Sequence, residues 1–320
     1  MRCSPLSIRC YMSIKKLLIA NRGEIAIRIA RACAELGIIS VAIFPKDDQY
    51  SLHTRKTDEA IELIGTGAKA YLDGNQILAV AKDHGCDAIH PGYGFLSENA
   101  DFAQACEQEG VNFVGPDVAT LNLFGDKSSA RQLAKSCEIS LPAGTAGAAN
   151  LQDIETFWDS LGDNAAVMIK AIAGGGGRGM RPVFNREDLP DAFERCQSEA
   201  MAAFGVGDLY AEQLVRHARH IEVQVIGDGQ GNLVHAGERE CSLQRRHQKI
   251  MEVAPSPSLT SELRQKLYDA ALKLAHHCNY RGLGTVEFLV SCDPRNEPDD
   301  FFFIETNPRV QVEHTVTVMV

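Results

Sequence analysis

Short apolar runs alternate with longer amphipathic ones from Lys16 onward, and this alternation limits the fold more than any other feature of the chain. "KLLIA" (16–20), "SVAIF" (40–44), "DAIH" (87–90) and "NFVG" (112–115) have the length and apolarity of buried strands. Between them, "GEIAIRIARACAELG" (23–37) sets Ile25, Ile29, Cys33 and Leu36 at helical spacing, and helices are also expected over "NQILAVAKDHG" (75–85) and "NADFAQACEQEG" (99–110). Parallel strands need crossovers of a dozen or more residues, which helices of this length supply. Residues 14–114 therefore read as a Rossmann-like α/β unit. After the first strand, "ANRGEIA" offers only Gly23, too little for the glycine turn that cradles a dinucleotide pyrophosphate, so a nicotinamide cofactor is not expected.

A connecting helix over "FGDKSSARQLAKSC" (124–137) and a boundary at "ISLPAG" (139–144) follow. Next, "AAVMIK" (165–170) and "GMRPVF" (179–184) read as strands flanking "KAIAGGGGRGM" (170–180). That run matches G-x-G-x-x-G at Gly174, Gly176 and Gly179, but the fingerprint needs a strand before it and a helix after it, and a Walker loop needs G-K-[ST]. The glycines are read instead as a hairpin flap, whose bare backbone amides can approach a polyphosphate closely. Beyond "LYAEQLV" (209–215) the pattern becomes antiparallel: "HIEVQVIG" (220–227), "LVHAGE" (233–238), "GTVEFLVS" (284–291) and "FFFIETN" (301–307), with one amphipathic helix over 260–278.

The net charge of −10 over 320 residues gives no global support for binding nucleic acid or an anionic membrane, so neither partner is expected. An anionic ligand would need a local basic cluster. The ten cysteines contain no C-x-x-C and read as free thiols of a reducing compartment. No apolar run approaches the ~18 residues of a membrane span. "MRCSPLSIRCYMSIKK" is basic and free of acidic residues; residues 1–13 are read as an N-terminal extension, with an organelle transit remnant as the alternative. The cytoplasm is the expected compartment, or the mitochondrial matrix if the chain is eukaryotic.

Three constellations carry chemistry. In "IETNPRVQVEH" (304–314), an extended chain would place Glu305, Asn307, Arg309, Gln311 and Glu313 on one face and Val310 and Val312 on the other. Glu287 lies between Val286 and Phe288, where a bare carboxylate is costly unless paired or ligating a cation. Glu287, Glu305 and Asn307 together suit Mg²⁺; the alternative is an edge pair with salt-bridge partners. In "ERECSLQRRHQK" (238–249), Arg239, Arg245, Arg246, His247 and Lys249 suit a polyphosphate or small oxyanion, or else form a solvated basic loop. Lys127, at a helix start, and Lys170, at the rim of the flap, are natural phosphate neutralisers. Cys241 reads as an inert thiol, and His217 with His220 lacks the further ligands zinc needs.

With these residues in view, the sequence resembles the biotin carboxylase component of biotin-dependent carboxylases, in the ATP-grasp superfamily. The blocks "LLIANRGEIAIRI", "HPGYGFLSEN", "GDKSSAR", "KAIAGGGGRGMR", "RHIEVQVIGD", "CSLQRRHQK", "GTVEFL" and "NPRVQVEHTVT" run in the family's order from about Ile14 to Thr317. The resemblance implies an α/β and α+β fold: a Rossmann-like pre-ATP-grasp domain (14–114), a linker (115–141), a mobile ATP-grasp lid carrying the glycine flap (142–214) and a C domain (215–320) that continues past Val320. It implies that Lys127, Lys170 and Gly175, Gly176 and Gly177 contact ATP, Glu212 and Leu214 the adenine, His220 and Gln244 the ribose, and His247 the phosphates. It further implies Mg²⁺, or Mn²⁺, on Glu287, Glu305 and Asn307, and bicarbonate on Lys249, Arg309, Gln311 and the Val312 backbone, with Glu313 as general base.

The implied reaction is ATP-dependent carboxylation of biotin on a carrier protein or domain, through carboxyphosphate. Partner carrier and carboxyltransferase domains or subunits and a homo-oligomer are implied with it. The acceptor would be pyruvate, acetyl-CoA or propionyl-CoA, and "LHTRKTDEA" and "EAMAAFG" lean toward pyruvate. Gln213 and Val318 depart from the family pattern, where lysine and glutamate are usual. The rival expectations are another ATP-grasp carboxylate ligase and a non-catalytic nucleotide-binding fragment.

Overall fold

The computed structural model describes residues 14–162, 165–173, 179–245, 248–292 and 300–319, in two compact units divided between Val114 and Gly115. The first unit runs β1 (Lys16–Ile19), α1 (Gly23–Leu36), β2 (Ile39–Pro45), β3 (Glu59–Leu63), α2 (Gly67–Ala70), α3 (Gly74–Asp83), β4 (Ala88–His90), α4 (Ala100–Gln108) and β5 (Asn112–Phe113). Its sheet has the order β3-β2-β1-β4-β5, with every pair parallel. The expected Rossmann-like alternation is present. Leu18 and Ile19 of the central strand are fully buried, as a strand covered on both faces requires. β3, "EAIEL", is an addition to the sequence reading: as a half-exposed edge strand it interleaves glutamates with its apolar residues, which dilutes the signal.

The second unit begins with α5 (Val118–Gly125) and α6 (Lys127–Ser136), followed by α7 (Leu151–Ser160), β6 (Val167–Ala171), β7 (Met180–Val183), α8 (Leu189–Phe204) and β8 (Leu209–Gln213). The single helix expected over 124–137 is two helices. Asp126 interrupts it at φ −100° and ψ 111°, and its carboxylate accepts the Ser129 amide at 2.6 Å to cap α6. β6 pairs antiparallel with β7 and β8, and Ile154 and Trp158 of α7 and Leu189 and Cys196 of α8 pack on Val167 and Ile169. The glycine run therefore joins two antiparallel strands, although Gly175, Gly176 and Gly177 themselves lie outside the described residues.

The remainder is β9 (Ala218–Asp228), β10 (Leu233–Arg245), β11 (Gln248–Val253), α9 (Ser261–His277), β12 (Arg281–Ser291), β13 (Phe301–Asn307) and α10 (His314–Val318). The sheet order is β11-β10-β9-β12-β13, antiparallel throughout. Its apolar face, including Ile221, Val223, Val286, Phe288 and Phe303, packs against Leu263, Leu267, Ala271 and Leu274 of α9. Each such leucine contributes about 1.5–3 kcal/mol on burial.

Two expectations are corrected here. The basic stretch 238–249 is a strand hairpin, not a loop: Gln244 pairs with Lys249 and Arg245 with Gln248, while Arg246 and His247 lie outside the described residues. The extended segment expected over 304–314 ends as a strand at Asn307, one residue before Pro308, which has no amide proton to continue a ladder. The chain then folds back into α10, so simple alternation does not place Arg309, Gln311 and Glu313.

Candidate functional site

Residues directly opposite one another on paired strands share a face of the sheet. Across β10, β9, β12 and β13 one rung reads Arg239–Glu222–Glu287–Glu305, and beside it lies Gln224–Thr285–Asn307. A bulge makes this possible. Glu287 pairs with Glu305 but Phe288 pairs with Phe303, so Phe303 and Glu305, two residues apart, face opposite sides of the sheet. The strand thus delivers its aromatic ring to the core and its carboxylate to the polar face.

Three carboxylates abreast, with Glu222 and Glu287 buried, demand cations. Lys249 supplies one: its ammonium pairs with Glu222 and lies 3.5 Å from both Glu287 Oε1 and Glu313 Oε1. Burial works against that charge, but Glu287 and Glu222 outweigh it and hold Lys249 above the ordinary lysine range. His220 Nε2 bonds Glu287 Oε2 at 2.6 Å, and the Gln244 amide lies 2.8 Å from its Nδ1. Burial disfavours the imidazolium, yet the Glu287 bond raises the His220 pKa overall. In the centre of the rung, burial pushes Glu287 up, while the His220 bond and the nearby cations bring it below the usual carboxylate range. Glu222 and Glu305 on either side are pushed up, by burial and by the charge of Glu287.

Arg239 departs from the sequence reading. It is fully buried and does not face a polyphosphate, because the alternation of β10 turns it onto the rung opposite Glu222. Cys241 is also fully buried, and burial raises its thiol pKa, in keeping with an inert role.

Asn307 Nδ2 donates to Glu287 Oε1 at 2.6 Å, and its Oδ1 accepts from Arg309 Nη2 at 3.2 Å. Gln311 is buried, Val312 is exposed and Glu313 is the residue preceding α10. Oxygen donors facing one another, with Glu305 raised by burial and by the charge of Glu287, fit a hard divalent cation. Ligation by Asn307 would require its amide to release Glu287 or Arg309. Among the described residues, the donor atoms of His220, Glu222 and Glu287 also lie within 4.8 Å of one another.

A second cluster joins α6 to the β6–β8 sheet. Lys170 pairs with Glu212, and Arg131 Nη1 bonds the other Glu212 oxygen at 3.2 Å while its Nη2 bonds the Pro142 carbonyl at 2.9 Å. Lys127 is held below the ordinary lysine range by burial, against the pull of Glu305. The charges of Lys127 and Lys170 both act on Glu305, which links this cluster to the rung. The Leu214 amide donates to the Ala166 carbonyl at 2.9 Å. A cavity of about 500 Å³ opens beside Lys127, walled by Arg131, Lys135, Thr145, Ile172 and Tyr210.

Glu222 and Arg131 are the additions to the sequence reading. Glu222 carried the same signal as Glu287, a carboxylate between two apolar residues, here Ile221 and Val223 in "HIEVQV". Arg131 is one basic residue on an amphipathic helix, and nothing local marks it.

The model of the biotin carboxylase N-terminal domain matches residues 13–121, and that of the carbamoyl-phosphate synthase L chain ATP-binding domain matches residues 126–320. The chain is 53% identical to Bacillus subtilis pyruvate carboxylase over 312 residues, covering 96% of this chain and 26% of that protein. Against human mitochondrial pyruvate carboxylase the identity is 48% over 311 residues, again covering 96% and 26%. Campylobacter jejuni biotin carboxylase, solved with β,γ-ATP, superimposes with a TM-score of 0.92 at 44% identity, covering 97% of this chain and 68% of that one. The biotin carboxylase domain of Hydrogenobacter thermophilus 2-oxoglutarate carboxylase, solved with MgADP and bicarbonate, gives 0.91 at 41% identity, covering 97% and 67%. The chain spans about a quarter of the length of the pyruvate carboxylases it matches. With its parallel N-terminal sheet, its antiparallel ATP-grasp sheets and a match along nearly its whole length, the chain belongs to the biotin carboxylase family.

Proposed function

We propose that this chain catalyses the first half-reaction of a biotin-dependent carboxylase, the carboxylation of carrier-linked biotin by ATP and bicarbonate. One observation carries the reading: the Lys249 ammonium lies among Glu222 and Glu287 of the acidic rung and Glu313 of the segment after β13. A cation beside a carboxylate that can act as a base is what a weak acid such as bicarbonate needs in order to become a nucleophile.

In the proposed mechanism Glu313 takes the bicarbonate proton, while Lys249, Arg309, Gln311 and the Val312 backbone hold the resulting oxyanion. An oxygen of that anion attacks the γ-phosphorus of ATP, and ADP leaves. The carboxyphosphate so formed breaks down to CO₂ and phosphate, the released phosphate takes the N1 proton of biotin, and the deprotonated N1 captures the CO₂. Lys127 and Lys170 offset charge on the phosphates, with Lys170 moving from Glu212 to do so. Glu212 and Leu214 would border the adenine, His220 and Gln244 the ribose and His247 the phosphates. A lid over 142–214, closing through Gly175, Gly176 and Gly177, would exclude water. Glu287, Glu305 and Asn307 would hold Mg²⁺, or Mn²⁺, which draws charge from the phosphate oxygens.

The carrier and carboxyltransferase would be further domains or subunits, pyruvate the final acceptor and the active form a homo-oligomer. Among the described residues no helix is long and apolar enough to cross a membrane. The cytoplasm or mitochondrial matrix is the proposed compartment. The test is ATP cleavage by the full-length protein with and without bicarbonate and free biotin. Cleavage indifferent to both would favour another ATP-grasp ligase, and no cleavage with nucleotide bound would favour a non-catalytic role.

A further inference from the structure

We infer that Arg239 is a positioning residue for the oxyanion site, holding Gln311 and, through Glu222, Lys249 in the orientations that bicarbonate requires. The inference rests on the proposed bicarbonate role of those two residues. A guanidinium has five N–H groups in a fixed planar fork. In Arg239 each finds an acceptor: Nε bonds Glu222 Oε2 at 2.8 Å, Nη1 bonds Gln224 Oε1 at 3.0 Å and Thr317 Oγ1 at 3.1 Å, and Nη2 bonds Thr285 Oγ1 at 2.9 Å and Gln311 Oε1 at 2.6 Å. The side chain has no exposed surface, so the fork has neither a donor nor an open edge left for substrate. Whatever it does for the reaction, it does through its partners.

Two of those partners face the proposed chemistry. An amide whose oxygen is committed to a guanidinium must present its NH₂ elsewhere, and that is the end of Gln311 an oxyanion can use. Glu222 has one oxygen on Arg239 and the other on Lys249, so the fork sets the angle at which that carboxylate holds the ammonium. The remaining bonds tie the fork to β9, β12 and α10, which makes Arg239 one point where the segment after β13 is fastened to the sheet. Buried ion pairs give little net stability over apolar packing of equal volume, so orientation, and not stability, is the use this arrangement serves.

The test is steady-state kinetics of ATP cleavage in the full-length protein bearing Arg239→Lys or Thr317→Val. Lysine keeps the charge but has three donors and no planar fork, so the KM for bicarbonate should rise by about tenfold or more while the KM for ATP stays within about twofold. Thr317→Val removes a single hydroxyl that anchors the fork. It should raise the bicarbonate KM about two- to threefold, with the ATP KM and the melting midpoint nearly unchanged. An unchanged bicarbonate KM in folded Arg239→Lys overturns the inference, as does an equal rise in both KM values. Failure of both variants to fold would make Arg239 a core residue only and overturns it too. Wild-type cleavage indifferent to bicarbonate is a distinct result: it removes the functional reading, and this inference falls with it.

Discussion

The ammonium of Lys249 lies 3.5 Å from Glu313 Oε1, although the two residues come from opposite ends of the C-terminal sheet region, an edge strand and the turn before the last helix. A base held beside a cation has that cation at hand for the anion the base creates. Glu313→Gln keeps the shape and removes the base. Bicarbonate-dependent ATP cleavage should fall roughly 10²–10⁴-fold while nucleotide affinity, read by calorimetry, is retained. Normal turnover in this variant would sink the assignment.

Glu305 faces Glu287 directly across β12 and β13 and is pushed up by burial and by that charge. Glu305→Gln should raise the divalent-cation concentration needed for half-maximal activity by roughly tenfold or more. Without any divalent cation the variant should melt no lower than wild type, because one of two opposed carboxylates is gone. A clear loss of cation-free stability would show that the carboxylate is structural.

Glu240 gives a pH-dependent prediction away from the rung. Burial works against its charge, but Ser256 and Ser258 at 2.7 Å, Arg219 at 2.7 Å and Ser242 at 2.9 Å bond it and bring its pKa from 4.5 down to about 2. The native state therefore binds this proton less readily than the unfolded chain does. Its stabilisation is complete above the unfolded value of 4.5 and is lost as pH falls from there through about 2. Denaturant titrations should find Glu240→Gln less stable by about 2–3 kcal/mol at neutral pH, a gap that closes across that acid window. A gap independent of pH would contradict the reading.

Gly144 touches the second cluster. A Cβ there would lie 2.9 Å from the Ala211 carbonyl oxygen and 3.1 Å from Arg131 Nη2. Gly144→Ala should cost about 1–3 kcal/mol by forcing the 142–147 segment off β8. It should also loosen the Arg131–Glu212 pair that orients Lys170, so the KM for ATP should rise with the loss of stability. Equal thermal midpoints and an unchanged ATP KM would refute this.

Much of the site was legible locally. A carboxylate wedged between Val286 and Phe288 announces a partner, and residues of like parity on "GTVEFLVS" and "FFFIETN" do meet, with Glu287 opposite Glu305 and Thr285 opposite Asn307. Alternation fails where the backbone leaves the regular pleat. The bulge beside Phe303 and the end of β13 before Pro308 both reset which way the next side chains point. Arg239 was misread because a run of basic residues looks the same whether its members face water or a buried glutamate.

The sequence by itself determined most of the order of elements, the parallel N-terminal sheet and the glycine run between two strands, because these follow from periodicity and spacing along the chain. Only the tertiary structure decided which charges neutralise which. Glu222 is sixty-five residues before Glu287, and strand register brings the two to one rung; Lys249, paired with Gln244 further along β10, reaches that rung with its side chain. In a buried site the state of each group depends on the charges across from it, and those distances are a property of the fold.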